Sequence, residues 1–123
     1  MPKKILVVDD KANIVLSLEF LMKQAGYDVR TASDGEEALA TIEADPPDLI
    51  LLDVNMPTKN GFEVCETVRA RNEWSHIRII MLTAHGRDIE REKGLALGAD
   101  DYLTKPFAIR EVVSKVQELL EQS

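Results

Sequence analysis

Five polar side chains of this chain stand where apolar runs end, and their types belong together chemically. Asp9 and Asp10 follow Ile5-Leu6-Val7-Val8, and Asp53 follows Leu49-Ile50-Leu51-Leu52. Thr83 closes the run from Ile77 to Leu82, and Lys105 comes just after Asp101-Tyr102-Leu103. Brought to one place, three carboxylates repel and raise one another's pKa unless a positive charge neutralises them. A hard divalent cation does so, and Mg2+ is satisfied by one or two carboxylates with waters and phosphate oxygens. Lys105 adds a second positive charge able to face an anion, and Thr83 adds a hydrogen-bond donor. A phosphoryl group would use all of these, because its transfer depends on positioning and electrostatics. Asp53 could itself be the nucleophile, giving an aspartyl phosphate. The plainer alternatives are a structural metal site, a buried Asp–Lys pair that only fixes the fold, or an Asp53 that merely begins a turn.

Everything depends on elements that bring those run ends together. The run before Asp53 is introduced by Pro46-Pro47 and followed by turn-rich Val54-Asn55-Met56-Pro57-Thr58-Lys59-Asn60-Gly61. Short, apolar and without polar alternation, it reads as a strand buried on both faces. Ile5 to Val8 and Ile77 to Leu82 read the same way, Tyr27 to Ala32 as an alternating strand, and Asp101 to Leu103 as a short one. Helical patterns lie between them. The first runs from about Lys11 to Ala25 and stops at Gly26; the second opens on Ser33-Asp34-Gly35-Glu36, which has the spacing of a capping box. A third runs from Phe62 to about Arg71 and a fourth from Asp88 to Leu97, weakened by Gly94 at about 1 kcal/mol relative to Ala. The last, Ile109 to Glu121, sets Ile109, Val112, Val113, Val116, Leu119 and Leu120 along one stripe. Such strict alternation predicts an α/β fold, a doubly wound parallel sheet with helices on both faces and right-handed crossovers. In that sheet all strand carboxyl ends share one edge, where ligands bind. A (β/α)8 barrel needs roughly 250 residues and is excluded.

The 123 residues suffice for one domain over residues 1–123, with 45% apolar and 30% charged residues giving an ordinary globular balance. A net charge of -7 argues against nucleic acid as a direct partner and favours cations or basic surfaces. Cys65 is alone, so no internal disulfide forms, and it reads as a small buried apolar residue. No stretch has the length of a signal-peptide core or a membrane span, which predicts no membrane partner and a cytoplasmic location.

The motifs at the run ends together resemble the receiver domain of two-component response regulators, from Lys4 to Leu120. They are Leu6-Val7-Val8-Asp9-Asp10, Leu51-Leu52-Asp53-Val54-Asn55-Met56-Pro57, Asn60-Gly61, Met81-Leu82-Thr83-Ala84 and Tyr102-Leu103-Thr104-Lys105-Pro106-Phe107. The resemblance implies a flavodoxin-like (βα)5 sheet of five parallel strands in the order 2-1-3-4-5. It implies a phosphoacceptor that takes its phosphoryl group from a histidine kinase or phosphotransfer protein, an intermediate in signal transduction rather than a turnover enzyme. Asp53 resembles the phosphoacceptor. Asp10 resembles the direct Mg2+ ligand, Asp9 the one acting through water, and the Asn55 backbone carbonyl a further ligand; Mn2+ can replace Mg2+. Lys105 resembles the phosphate-pairing lysine, and the family implies a cis peptide bond before Pro106. Thr83 and Tyr102 resemble the switch pair that rearranges the surface of the fourth helix, fifth strand and fifth helix. His85 stands where family members modulate loss of the phosphoryl group, with an exposed loop histidine as the plain alternative.

From Gly94 to Phe107 the chain resembles receivers of the winged-helix transcription-factor subfamily. There Arg91, Asp101, Glu111 and Lys115 match positions of intersubunit ion pairs, so Arg91–Glu111 and Asp101–Lys115 are expected to bridge a phosphorylation-promoted homodimer. Two other families share part of this pattern. A haloacid-dehalogenase-like phosphatase would also use Asp53, but needs a general acid where Asn55 stands. A flavin binder would need a donor-rich loop in place of Asp9-Asp10-Lys11. His76 and His85 should lie roughly 20 Å apart at the ends of one strand, too far to share a metal. Trp74 is expected to anchor local packing. The chain stops just after its last helix, as either a stand-alone regulator or the receiver part of a longer one.

Overall fold

The structure is a computed structural model that describes residues 2–84 and 88–121. Five parallel strands, β1 (Lys4–Val8), β2 (Asp28–Ala32), β3 (Leu49–Asp53), β4 (Arg78–Ala84) and β5 (Asp101–Lys105), form one sheet in the order β2-β1-β3-β4-β5. The predicted class and strand order are therefore observed. Helices α1 (Ala12–Gln24), α2 (Gly35–Ala44), α3 (Gly61–Arg69) and α4 (Asp88–Ala96) make the crossovers, and α5 (Ile109–Glu121) folds back onto the sheet after β5.

The pleat sorts the apolar runs into two cores. Leu6, Val8, Ile50, Leu52, Ile79 and Met81 face α2 and α3, meeting Ala38, Ile42, Val64, Cys65 and Val68. Ile5, Val7, Leu49, Leu51, Ile80 and Leu82 face α1 and α5, meeting Leu18, Met22, Val112, Val116 and Leu120. Every residue of β3 is buried, as its lack of polar alternation requires. Each fully buried aliphatic side chain contributes about 1.5–3 kcal/mol relative to exposure. Register then aligns the strand ends: Val8 pairs with Leu52, and Asp53 with Leu82.

Several boundaries differ from the sequence reading. Thr83 lies inside β4 rather than after it, and β5 extends to Lys105 instead of ending at Leu103. The cap of α2 sits one residue later than Ser33 and Glu36: Asp34 accepts from the Glu37 N–H at 2.8 Å, while the Glu37 carboxylate turns back to Ser33. Asp34 wins because its carboxylate reaches the free N–H from the position just outside the helix. A full capping box, unforeseen, opens α3 between Asn60 and Glu63. The stripe of α5 also begins later than expected, since Ile109 is 68% exposed at the rim of a groove shared with Phe20 and Phe107. Trp74 is buried with the Arg71 guanidinium 3.8 Å above its ring, which fits a packing anchor. Cys65 is buried too, and that burial pushes its thiol up to about 11.

Candidate functional site

At the carboxyl edge of the sheet, β1, β3 and β5 deliver Asp9, Asp53 and Lys105 to one point. Lys105 Nζ lies 2.7 Å from Asp9 Oδ2 and 3.1 Å from Asp53 Oδ1, so one ammonium bridges both carboxylates. The peptide bond that follows, Lys105–Pro106, is cis, as the resemblance implied. Asp9 and Asp53 are buried, whereas Asp10 is exposed and lies 3.4 Å from Lys11 Nζ. Asp9 also accepts from the Lys11 main-chain N–H at 2.9 Å, which fixes the start of the turn into α1.

Ligand-capable oxygens of Asp9, Asp10 and Asp53 all fall within 4.8 Å of one another. Asp53 Oδ2 is buried and has no hydrogen-bond partner. Leaving a buried carboxylate oxygen unpaired is costly. Burial, and then the charge of Asp9, push the Asp53 carboxyl up to about 6 against the opposing pull of Lys105. Burial alone would lower Lys105, but its hydrogen bond to Asp9 and the charge of Asp53 outweigh that and hold it above its ordinary range. Three oxygen donors, one of them unsatisfied, fit a hard divalent cation such as Mg2+.

The cluster opens into a cleft of about 350 Å³ lined by Lys11, Asp53, Asn55, Ala84 and Lys105 among others. The wall beyond Asp53 is fixed by α3. The Gly61 N–H donates to the Val54 carbonyl at 2.8 Å, and a Cβ at Gly61 would collide with the Asp53 carbonyl oxygen. That close approach requires glycine at the helix start.

The other expected residues have distinct surroundings. Thr83 is buried and its hydroxyl donates to the Leu103 carbonyl at 3.5 Å, rather than to the carboxylates. Tyr102 is half-buried; Arg91 lies 4.9 Å from its ring centre and donates to its hydroxyl at 3.1 Å. Lys115 and Asp101 pair within the chain at 3.0 Å. His85 lies outside the described residues. The sequence reading missed Glu90, buried on α4, whose carboxylate accepts from Asn55 Nδ2 at 3.4 Å. Nothing in Asp88-Ile89-Glu90-Arg91-Glu92-Lys93 distinguishes it from its charged neighbours.

Residues 5–117 match the sequence profile of the response regulator receiver domain. The chain belongs to that family. This receiver is 50% identical over all of its 123 residues to the alkaline phosphatase synthesis transcriptional regulatory protein PhoP of Bacillus subtilis (strain 168). It spans 50% of that relative's length. Among solved structures it resembles a response regulator from Chloroflexus aurantiacus, with a TM-score of 0.95 and 39% identity, covering 98% of this chain and 99% of that one. It also resembles the chemotaxis response regulator CheY4 of Vibrio cholerae, with a TM-score of 0.90 and 36% identity over 97% and 99% of the two chains. The receiver is thus a signalling domain of two-component systems, and its likeness to a transcriptional regulatory protein agrees with the expected resemblance to receivers of transcription factors. Among the described residues, no helix is long and apolar enough to cross a membrane.

Proposed function

We propose that residues 1–123 act as one cytoplasmic phosphoacceptor unit in which Asp53 takes a phosphoryl group from a phosphohistidine donor. The observation that carries this is the Lys105 ammonium bridging Asp9 and Asp53 while Asp53 Oδ2 stays unpartnered. An Asp53 oxygen attacks phosphorus, the P–N bond breaks, and its electron pair returns to the donor imidazole, which takes up a proton. With a pKa of about 6, Asp53 is mostly ionised at neutral pH and so available as the nucleophile. Lys105, held in its charged form, faces the phosphoryl oxygens.

Asp9, Asp10 and Asp53, with the Asn55 main-chain carbonyl, would hold Mg2+ or Mn2+. That ion supplies charge to offset both the carboxylates and the phosphoryl group. Thr83 exchanges its hydrogen bond to Leu103 for one to a phosphoryl oxygen, and Tyr102 leaves Arg91 to turn inward behind it. This frees Arg91 for Glu111 of a second copy. Asp101 and Lys115, already paired within one chain, would re-pair across the two-fold. Each exposed pair adds only about 0–1 kcal/mol, enough to set register in a weak dimer. The activity ends with the domain's own phosphorylation and dephosphorylation.

Incubation with Mg2+ and acetyl phosphate, followed by mass spectrometry, should show one added phosphoryl group on Asp53. Asp53→Asn should abolish the gain, and Asp10→Asn should weaken metal binding. Efficient labelling of the Asp53→Asn protein elsewhere would overturn the assignment.

A further inference from the structure

Among the described residues, four polar or charged side chains are buried, and three of them, Asp9, Asp53 and Thr83, belong to the phosphoacceptor edge. The fourth is Glu90, 5% exposed in the first turn of α4. A carboxylate is seldom buried so far without hydrogen-bond partners. Its position is favourable to the helix dipole, and Asn55 Nδ2 donates to its Oε2 at 3.4 Å. Asn55 stands two residues beyond Asp53 and lines the same cleft. Glu90 therefore touches, through one side chain, the space in which the phosphoryl group would sit.

We propose that Glu90 is a positioning residue that fixes the orientation of the Asn55 carboxamide and thereby couples α4 to the lifetime of the phosphoryl group on Asp53. The inference rests on the phosphoacceptor reading and adds a means of controlling it. A carboxamide has one donating and one accepting end. With the NH2 committed to Glu90, the Asn55 Oδ1 remains the acceptor available to water in the cleft.

Loss of the phosphoryl group is attack of water on phosphorus. A new O–P bond forms as the P–O bond to Asp53 breaks, the electron pair leaves on the Asp53 carboxylate, and the water protons go to the departing phosphate and to solvent. An acceptor facing the cleft holds that water by a proton. A donor facing the cleft would instead bind the phosphoryl oxygens and crowd the water out. Removing the Glu90 acceptor frees the carboxamide to turn its NH2 toward the phosphoryl group, so the phosphorylated state should last longer.

The test phosphorylates the full chain with acetyl phosphate and Mg2+, removes the donor by rapid desalting, and follows decay by mass spectrometry. Glu90→Met fills the buried space without an acceptor and should lengthen the half-life about threefold or more. Glu90→Asp, one methylene shorter, should do the same and serves if the Met variant does not fold. Glu90→Gln keeps an acceptor in place and should stay within about twofold of wild type. Asn55→Ala should also prolong the phosphorylated state, and adding Glu90→Met to it should change nothing further. Unchanged or shortened half-lives in folded Glu90→Met or Glu90→Asp, or multiplying effects in the double variant, overturn the inference alone. A wild-type chain that takes no phosphoryl group on Asp53 overturns the phosphoacceptor reading with it.

Discussion

Helices α3 and α4 are each nine residues long and lie on the same face of the sheet, yet they are held there by different means. α3 buries Phe62, Val64, Cys65 and Val68, begins in a two-way capping box, and brings Gly61 against the Asp53 carbonyl. α4 buries only Glu90 and Gly94, and leaves Ile89 74% and Leu95 42% exposed. Its remaining ties run through long polar side chains. Lys93 lies 4.6 Å from the centre of the Phe62 ring, Arg91 rests on Tyr102, and Glu90 meets Asn55. Elements with few buried apolar contacts open at low free-energy cost, and switching segments are drawn from them. The difference suits the two tasks that the proposed function requires: α3 pins the loop after Asp53, and α4 is held loosely enough to move.

The largest expected effect tests the anchoring directly. Phe62→Ala should cost about 3–5 kcal/mol in urea denaturation, because it empties a core position beside Val64 and Cys65. Ile89→Ala and Leu95→Ala should change stability by about 0.5 kcal/mol or less, as exposed substitutions do. Comparable losses from both helices would break the contrast.

A second effect lies in the electrostatic load that the α3 side carries. The Asp53 carboxyl rises from an ordinary 3.8 to about 6 in the folded chain. Between those values the folded state binds more protons than the unfolded one, so stability falls as pH rises through this window. Above about pH 6 the loss is complete, on the order of 1–3 kcal/mol at about 1.4 kcal/mol per unit. Without divalent cation, Asp53→Asn should therefore be more stable than wild type at pH 8, and the gain should fade below about pH 4. Added Mg2+ should raise the wild-type Tm at pH 8 by more than that of Asp53→Asn, which keeps Asp9 and Asp10 but loses one charged ligand. If wild type showed no such fall with pH, the buried charge would not be the load inferred here.

How much of this was readable beforehand follows the same division. β1, β3 and β4 are legible because burial on both faces leaves uninterrupted apolar runs, and a parallel sheet puts the polar residues at their ends, with Lys105 of β5, on one edge. Asp9, Asp53 and Lys105 meet within hydrogen-bond distance for that reason. α4 gave no such signal. Its inward face is a glycine and a glutamate, so no apolar stripe marks which side meets the sheet, and Glu90 was indistinguishable from Glu92. Ile109 misled in the opposite direction, since helical spacing extended the α5 stripe one turn beyond the point where the core ends. The cap of α2 slipped by one residue because Ser33, Asp34, Glu36 and Glu37 offer two overlapping boxes, and only backbone geometry chooses between them.

The next effect should appear in native-state hydrogen exchange. Amides of α4 from Arg91 to Ala96 should exchange at least about tenfold faster than the buried amides of α3, a difference of about 1.4 kcal/mol in opening free energy. Phosphorylation or a stable phosphoryl mimic should alter exchange in α4 and at Tyr102 while leaving α3 almost unaffected. Equal protection of the two helices would remove the basis for assigning them separate tasks.

The smallest effect, Gly94→Ala, probes what loosens α4. A glycine inside a helix costs about 1 kcal/mol relative to alanine, so the substitution should stiffen α4. Against that, the new Cβ would sit 3.0 Å from Met81 Cγ, and the Met81 side chain must yield by a few tenths of an ångström. Methionine is unbranched and adapts readily, so crowding should take back only part of the gain. The net change in global stability should stay within about 1 kcal/mol, while exchange in α4 slows by up to about fivefold. The decisive reading is in the response: α4 should change less on phosphorylation in Gly94→Ala than in wild type, with phosphoryl uptake at Asp53 intact. An unaltered response would mean that Gly94 serves only to let α4 approach Met81, and that its flexibility has no part in the switch.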